Sequence, residues 1–98
     1  MRHSQLRAFH FVAIYGSFSV AAERLKISQP AVSEQVKKLE QNYDTLLIRR
    51  QNKKITLTDE GRKILLLTKQ LFEVEQQIED YISESGHCLL YTSDAADE

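Results

Sequence analysis

The feature that most constrains this chain is a row of apolar side chains in its second half. Ile64, Leu67, Leu71, Val74, Ile78 and Tyr81 recur at alternating spacings of three and four. That alternation places all six on one seam of a single long helix for nearly three heptads. Thr58 is placed to cap the helix, and Asp59 and Glu60 bring negative charge to the positive end of its dipole. A chain of 98 residues builds one small core at most. Nothing before residue 58 has a second apolar face large enough to cover the seam as well. The seam therefore predicts a partner chain. Internal packing is the competing reading, and it would need a further domain to supply the missing surface.

The residues ahead of the seam read as three short helices and a hairpin. Leu6, Phe9, Val12 and Ala13 form one face of a helix over Gln5–Tyr15, with Ser4 as its N-cap and Gly16 at its end. After Ser17-Phe18-Ser19, a serine cap opens a short helix, Val20–Leu25, whose Ala21-Ala22 pair lets another helix approach closely. Lys26-Ile27 turns the chain and Ser28 caps a third helix, with Pro30 in the first turn, where a missing N–H costs nothing. There Val32, Val36 and Leu39 face inward while Ser33, Gln35, Lys37 and Lys38 point elsewhere, and the helix frays around Asn42–Asp44. Leu46-Leu47-Ile48 returns to the core. Two β-prone runs around the polar tip Gln51-Asn52-Lys53-Lys54 then read as a small hairpin ending in Ile55-Thr56-Leu57.

The expected fold is therefore mainly α. A winged helix-turn-helix of three helices plus a small β-hairpin wing occupies residues 1–58, and a long linker or dimerisation helix follows over residues 59–84. A tail, residues 85–98, breaks the seam. Within it residues 88–98 carry no base and close on small and acidic side chains. They resemble the translation of a transposon-end adapter used in preparing sequencing libraries, and are read as a non-native scar.

Charge divides the chain sharply. All 13 lysines and arginines lie at or before Lys69, against six acids, a net of +7; from Gln70 onward there are eight acids and no base. A basic front suggests a polyanionic partner, although a chance split of surface charge would look the same. A single cysteine excludes a disulfide framework, and three scattered histidines argue against a zinc site. His3 and His10 share a helix with no acid or cysteine at ligand spacing. No apolar stretch approaches the roughly 18 residues of a membrane span, and residues 1–15 carry no secretory signal, so the expected address is the cytoplasm. There is no Gly-rich phosphate loop, nucleophile elbow or pair of catalytic acids. No enzyme activity, metal or cofactor is expected.

Helix, tight turn, helix and basic hairpin together point to duplex DNA. The third helix must fit a groove about 12 Å wide and present polar side chains to base edges. Its first turn, Ser28-Gln29-Pro30-Ala31, is short-chained enough for close backbone approach. Gln29 can read adenine through a paired donor and acceptor, and Ser33 lies one turn further on the same face. Lys37 follows one turn later, reaching toward phosphate, while Arg49, Arg50, Lys53 and Lys54 would grip the flanking backbone. The candidate DNA-binding set is Ser28, Gln29, Pro30, Ser33, Glu34, Lys37, Lys38, Arg50, Lys53 and Lys54. The plainer alternatives are a helix-capping pair for Gln29 and Ser33, and solubilising charge for Lys53 and Lys54.

The runs Gly16-Ser17-Phe18-Ser19-Val20-Ala21-Ala22-Glu23-Arg24-Leu25, Ile27-Ser28-Gln29-Pro30-Ala31-Val32-Ser33, Lys38-Leu39-Glu40 and Leu57-Thr58-Asp59-Glu60-Gly61, with Arg50 between the last two, carry a specific resemblance. Over residues 1–84, in order and without gaps, the chain resembles the DNA-binding domain of LysR-type transcriptional regulators. The resemblance implies a sequence-specific transcription regulator, a homodimer whose long helices pair, and an interrupted palindrome with T and A at its ends. It also implies a C-terminal sensor domain for a small-molecule effector, which this sequence does not contain. Three positions depart from the family pattern: Glu34 stands where many relatives have arginine, Asp44 where a glycine is common, and Leu46 where a proline is. Glu34 could repel phosphates or accept from a cytosine amine. Asp44 tolerates a left-handed turn at modest cost. A winged helix specialised for protein–protein contact is the alternative function; the polar third helix argues against it.

Overall fold

The computed structural model of the chain describes residues 1–52 and 54–89. Lys53 and residues 90–98, and with them most of the expected scar, lie outside the described residues. The elements in order are α1 (His3–Tyr15), α2 (Phe18–Leu25), α3 (Gln29–Asn42), β1 (Ile48–Gln51), β2 (Lys54–Leu57) and α4 (Asp59–Leu89). This is the expected winged helix-turn-helix with a long trailing helix.

Helix starts are set by backbone hydrogen bonds, and two differ from expectation. The N-cap of α1 is Arg2, not Ser4: its backbone is extended, and the buried Gln5 side chain folds back to accept its N–H at 3.4 Å. Gly16 closes α1 at φ 63°, a left-handed conformation that glycine takes without penalty. In α2 it is Ser17 whose hydroxyl accepts the Val20 N–H, at 3.1 Å, so the helix begins at Phe18 rather than Val20. Ser28 caps α3 as expected, accepting from Ala31 N–H at 3.2 Å. Past α3, Asp44 adopts φ 48°, so the chain makes the expected left-handed turn there with an aspartate.

The core lies where α1, α2 and α3 cross. Phe9, Val12 and Val32 are fully buried at its centre, with Ala21 and Ala22 where the helices approach and Val36 and Leu39 below. The hairpin closes one side through the pairs Ile48↔Leu57, Arg49↔Thr56, Arg50↔Ile55 and Gln51↔Lys54. Leu47 and Ile48 are buried, but Leu46 is 50% exposed, so only two of the three expected residues enter the core. The chain between α3 and β1 is pinned by Glu40, whose carboxylate accepts the N–H groups of Leu47 at 2.7 Å and Ile48 at 3.1 Å.

Thr58 caps α4 and also docks it. Its hydroxyl accepts the Gly61 N–H at 2.9 Å and donates to the Leu46 carbonyl at 2.6 Å. At Gly61 the helix runs so close to the Leu47 carbonyl that a Cβ would overlap it. Beyond that point α4 uses two different faces. Thr68 is buried and Phe72 half-buried against α1: His10 Nδ1 lies 2.8 Å from Thr68 Oγ1, and the His3 and His10 rings pack against Phe72. His3 Nε2 also meets Glu75 at 2.7 Å. Burial, with Lys69 as a lesser cause, holds the His10 pKa below its ordinary value. The expected seam lies on the other face. Leu67, Leu71, Val74, Ile78 and Tyr81 are between 41% and 70% exposed, whereas Ile64 packs partly against the core. Ile64 therefore belongs to the domain at least as much as to the seam. The helix continues to Leu89, beyond the expected end at residue 84.

Candidate nucleic-acid interface

The caps of α2 and α3 bring two helix N-termini together beside the wing. Ser19, in the first turn of α2, donates its hydroxyl proton to Gln29 Oε1 at 3.2 Å. Gln29 is exposed, as are Ser28 and Pro30 around it. A hollow between the helices and the hairpin is lined by Gly16, Ser19, Gln29, Arg50 and Lys54.

Arg50 joins the wing to the third helix. It shares a hairpin face with Ile48, because side chains two apart on a strand point the same way. Ile48 enters the core, and Arg50 emerges beside it over the Phe18 ring, its guanidinium carbon 4.0 Å from the ring centroid. Its Nη2 donates to Ser33 Oγ at 3.4 Å. The aromatic face and the hydroxyl hold a long cationic side chain that would otherwise sample many rotamers. Ser33 and Lys37 line a second hollow with Phe18 and Arg50. Gln29, Ser33 and Lys37, four apart on α3, thus run along the side to which Arg50 is drawn.

The remaining expected residues fall into place unevenly. Glu34 and Lys38 pair across one turn of α3 at 3.4 Å, both well exposed, and with Pro30, Lys37 and Gln41 they line a shallow groove on the helix's outer edge. The charge of Glu34 is thereby partly offset by a neighbouring base. Lys54 reaches the Gln29 hollow from β2. Arg49 does not join Arg50: strand alternation turns it to the opposite face, against Asp44, Thr45 and Glu60. Lys53 lies outside the described residues. Ser19 and Phe18 escape a reading of the sequence. Neither is charged, and only the packing of α2 against α3 and the wing reveals what they hold.

Such a surface offers hydrogen-bond donors and acceptors on an exposed helix face, flanked by cations of which Arg50 is held in place, and residues 3–62 match the model of the bacterial regulatory helix-turn-helix proteins of the lysR family. The chain belongs to that family. Among curated relatives, a probable RuBisCO transcriptional regulator of Phaeodactylum tricornutum is 45% identical over 67 residues, 68% of this chain and 22% of the relative. The chain thus spans under a quarter of that relative's length. Among solved structures, the BenM DNA-binding domain in complex with benA site 1 DNA superposes with a TM-score of 0.76 at 28% identity, covering 86% of this chain and 98% of that one. The CbnR DNA-binding domain in its DNA complex gives 0.73 at 30% identity, covering 88% and 99%. The fold is that of the family's winged helix-turn-helix DNA-binding domain.

Proposed function

We propose that this chain is the DNA-reading part of a sequence-specific transcription regulator. The α3 helix lies in the major groove, Gln29 and Ser33 meet base edges, and Arg50, Lys37, Lys38, Lys53 and Lys54 hold flanking phosphates. The observation that carries this reading is the Arg50–Phe18–Ser33 cluster, which fixes a wing cation on the side of α3 that presents Gln29 and Ser33. That α3 side is polar, which disfavours a protein-docking winged helix. A fluorescence titration with random-sequence duplex at two salt concentrations tests the choice. Phosphate contacts make affinity fall steeply with salt, and a flat response would overturn the proposal.

The chain works as a homodimer through α4. The exposed seam from Leu67 to Tyr81 supports this, and charge selects its direction. From Gln70 to Glu84 the helix has five acids and no base, while Arg62, Lys63 and Lys69 lie in its first turns. Parallel pairing would set acid against acid; antiparallel pairing sets the acidic half against the basic one. Two such domains suit an interrupted palindrome. Residues 1–58 form the reading domain and 59–84 the pairing helix; a small-molecule effector would act through residues outside this chain. Residues 88–98 are read as a non-native scar.

A further inference from the structure

We infer that Ser19, on α2, is a positioning residue that sets the base preference of Gln29. This rests on the reading that Gln29 meets a base edge. The nearby capping hydroxyls are already committed, Ser17 to the Val20 N–H and Ser28 to the Ala31 N–H, and both helix starts are complete without Ser19. The Ser19 hydroxyl is instead directed across the helix-helix gap to Gln29 Oε1 at 3.2 Å, on the exposed side.

The consequence for recognition follows from the inventory of a carboxamide. Its oxygen has two lone pairs and its nitrogen two N–H groups. When Ser19 donates to the oxygen, one lone pair and both N–H groups remain to engage a base. Adenine presents an amine and a ring-nitrogen acceptor side by side in the major groove, so it needs an acceptor and a donor in that order. The tethered carboxamide offers both in one place. A free glutamine has three rotatable bonds to immobilise on binding, at a cost that reduces affinity about two- to tenfold. Ser19 meets part of that cost before DNA arrives, and only for the base that Gln29 matches.

The test uses the whole chain and duplex DNA. The unmodified chain first selects its preferred duplex from a randomised pool, and affinities are then measured for all single base-pair changes in one half-site. Gln29→Ala should relax discrimination at one position by about fivefold to about a hundredfold. Ser19→Ala should relax it at that same position by about two- to tenfold, with the salt slope and the thermal midpoint unchanged. Ser19→Thr, which keeps the hydroxyl, should restore discrimination, and Ser19→Ala added to Gln29→Ala should change nothing further. Uniform weakening with a shallower salt slope would make Ser19 a phosphate ligand and overturn the inference. Unchanged discrimination in Ser19→Ala, or an effect that persists without Gln29, would overturn it too. If Gln29→Ala itself leaves discrimination intact, the base-reading role fails first and Ser19 falls with it.

Discussion

Replacing Arg50 separates its charge from its shape. The counterion argument gives the charge part: each phosphate neutralised contributes about 0.9 to the slope of log affinity against log salt. Arg50→Ala should therefore lower the slope by about 0.9 per half-site engaged, and by about twice that on a palindrome bound by two copies. At about 0.15 M salt, that lost counterion release is about 1 kcal/mol per contact, or about fivefold in affinity. Arg50→Lys keeps the charge and should keep the slope. It loses the planar group that lies 4.0 Å from the Phe18 centroid and the fork that reaches Ser33. Both contacts are made within the free chain, so what they add to binding is the side-chain ordering that they save, about 0.5–1.5 kcal/mol, and the lysine variant should bind about two- to tenfold more weakly at every salt concentration. Fluorescence anisotropy on one duplex, from 50 to 300 mM salt as an approximate working range, measures both quantities. An unchanged slope in Arg50→Ala would show that Arg50 meets no phosphate. A lysine variant that matches wild type throughout would show that the Phe18 contact contributes nothing to binding.

Other parts of the molecule make sharper claims on assembly and stability. Leu71→Glu puts a charge at the middle of the exposed seam and should halve the mass seen by light scattering; an unchanged mass would remove the pairing claim. Gly61→Ala forces a methyl group onto the Leu47 carbonyl, which also accepts the Thr58 N–H at 3.0 Å. It should cost about 1–3 kcal/mol, each kcal/mol lowering the thermal midpoint by about 4–8 °C, and an unshifted midpoint would contradict the close approach. His10 has its folded pKa depressed, first by burial and then by Lys69, so between the folded value and about 6.5 the unfolded chain binds more protons. Stability is therefore complete above about pH 6.5, falls as pH drops below it and levels off below the folded pKa. Thermal melts at stepped pH should show this fall, smaller in His10→Gln; an equal fall in both would place its origin elsewhere.

Local chemistry was legible wherever it is settled within a few residues. The Ser28 cap, Pro30 in the first turn, the Val32-Val36-Leu39 face and the Thr58 cap all depend on neighbours in sequence, and the structure has them in place. Asp44 was readable for the same reason. What escaped depends on distant partners. Ser4 looked like a cap, but the buried Gln5 turned back to Arg2 and moved the start of α1. Arg49 and Arg50 are adjacent and equally basic, yet Ile48 entering the core assigns them opposite faces. Ser19 and Phe18 carry no charge to mark them, and they matter because α2 crosses beside Gln29 and the wing. His3 and His10 had no partner nearby in sequence; their partners, Glu75 and Thr68, lie on α4.

The mixed inner face of α4 was hidden by its composition, and it has consequences for how two domains would be spaced. Gly61, Ile64, Thr68, Phe72 and Glu75 also recur three or four apart, but two are polar and one is glycine, so hydropathy alone shows only the seam beside them. Through this row α4 is tied first to the Leu46-Leu47 segment, at Thr58 and Gly61, and then to α1 for about two turns, from the His10–Thr68 contact to the His3–Glu75 contact. The seam on the neighbouring face is thereby held at a set direction relative to α3. In the proposed dimer that direction determines how far apart two α3 helices stand, and hence the spacing of the half-sites. Thr68→Val keeps the volume of the side chain but removes the hydroxyl that meets His10 at 2.8 Å and Leu65 O at 3.1 Å. It touches neither the seam nor the candidate DNA face. Binding to a single half-site should therefore stay as it is, while tolerance for duplexes with half-sites moved by one base pair should widen. A variant as strict in spacing as the parent would show that the inner row sets stability alone.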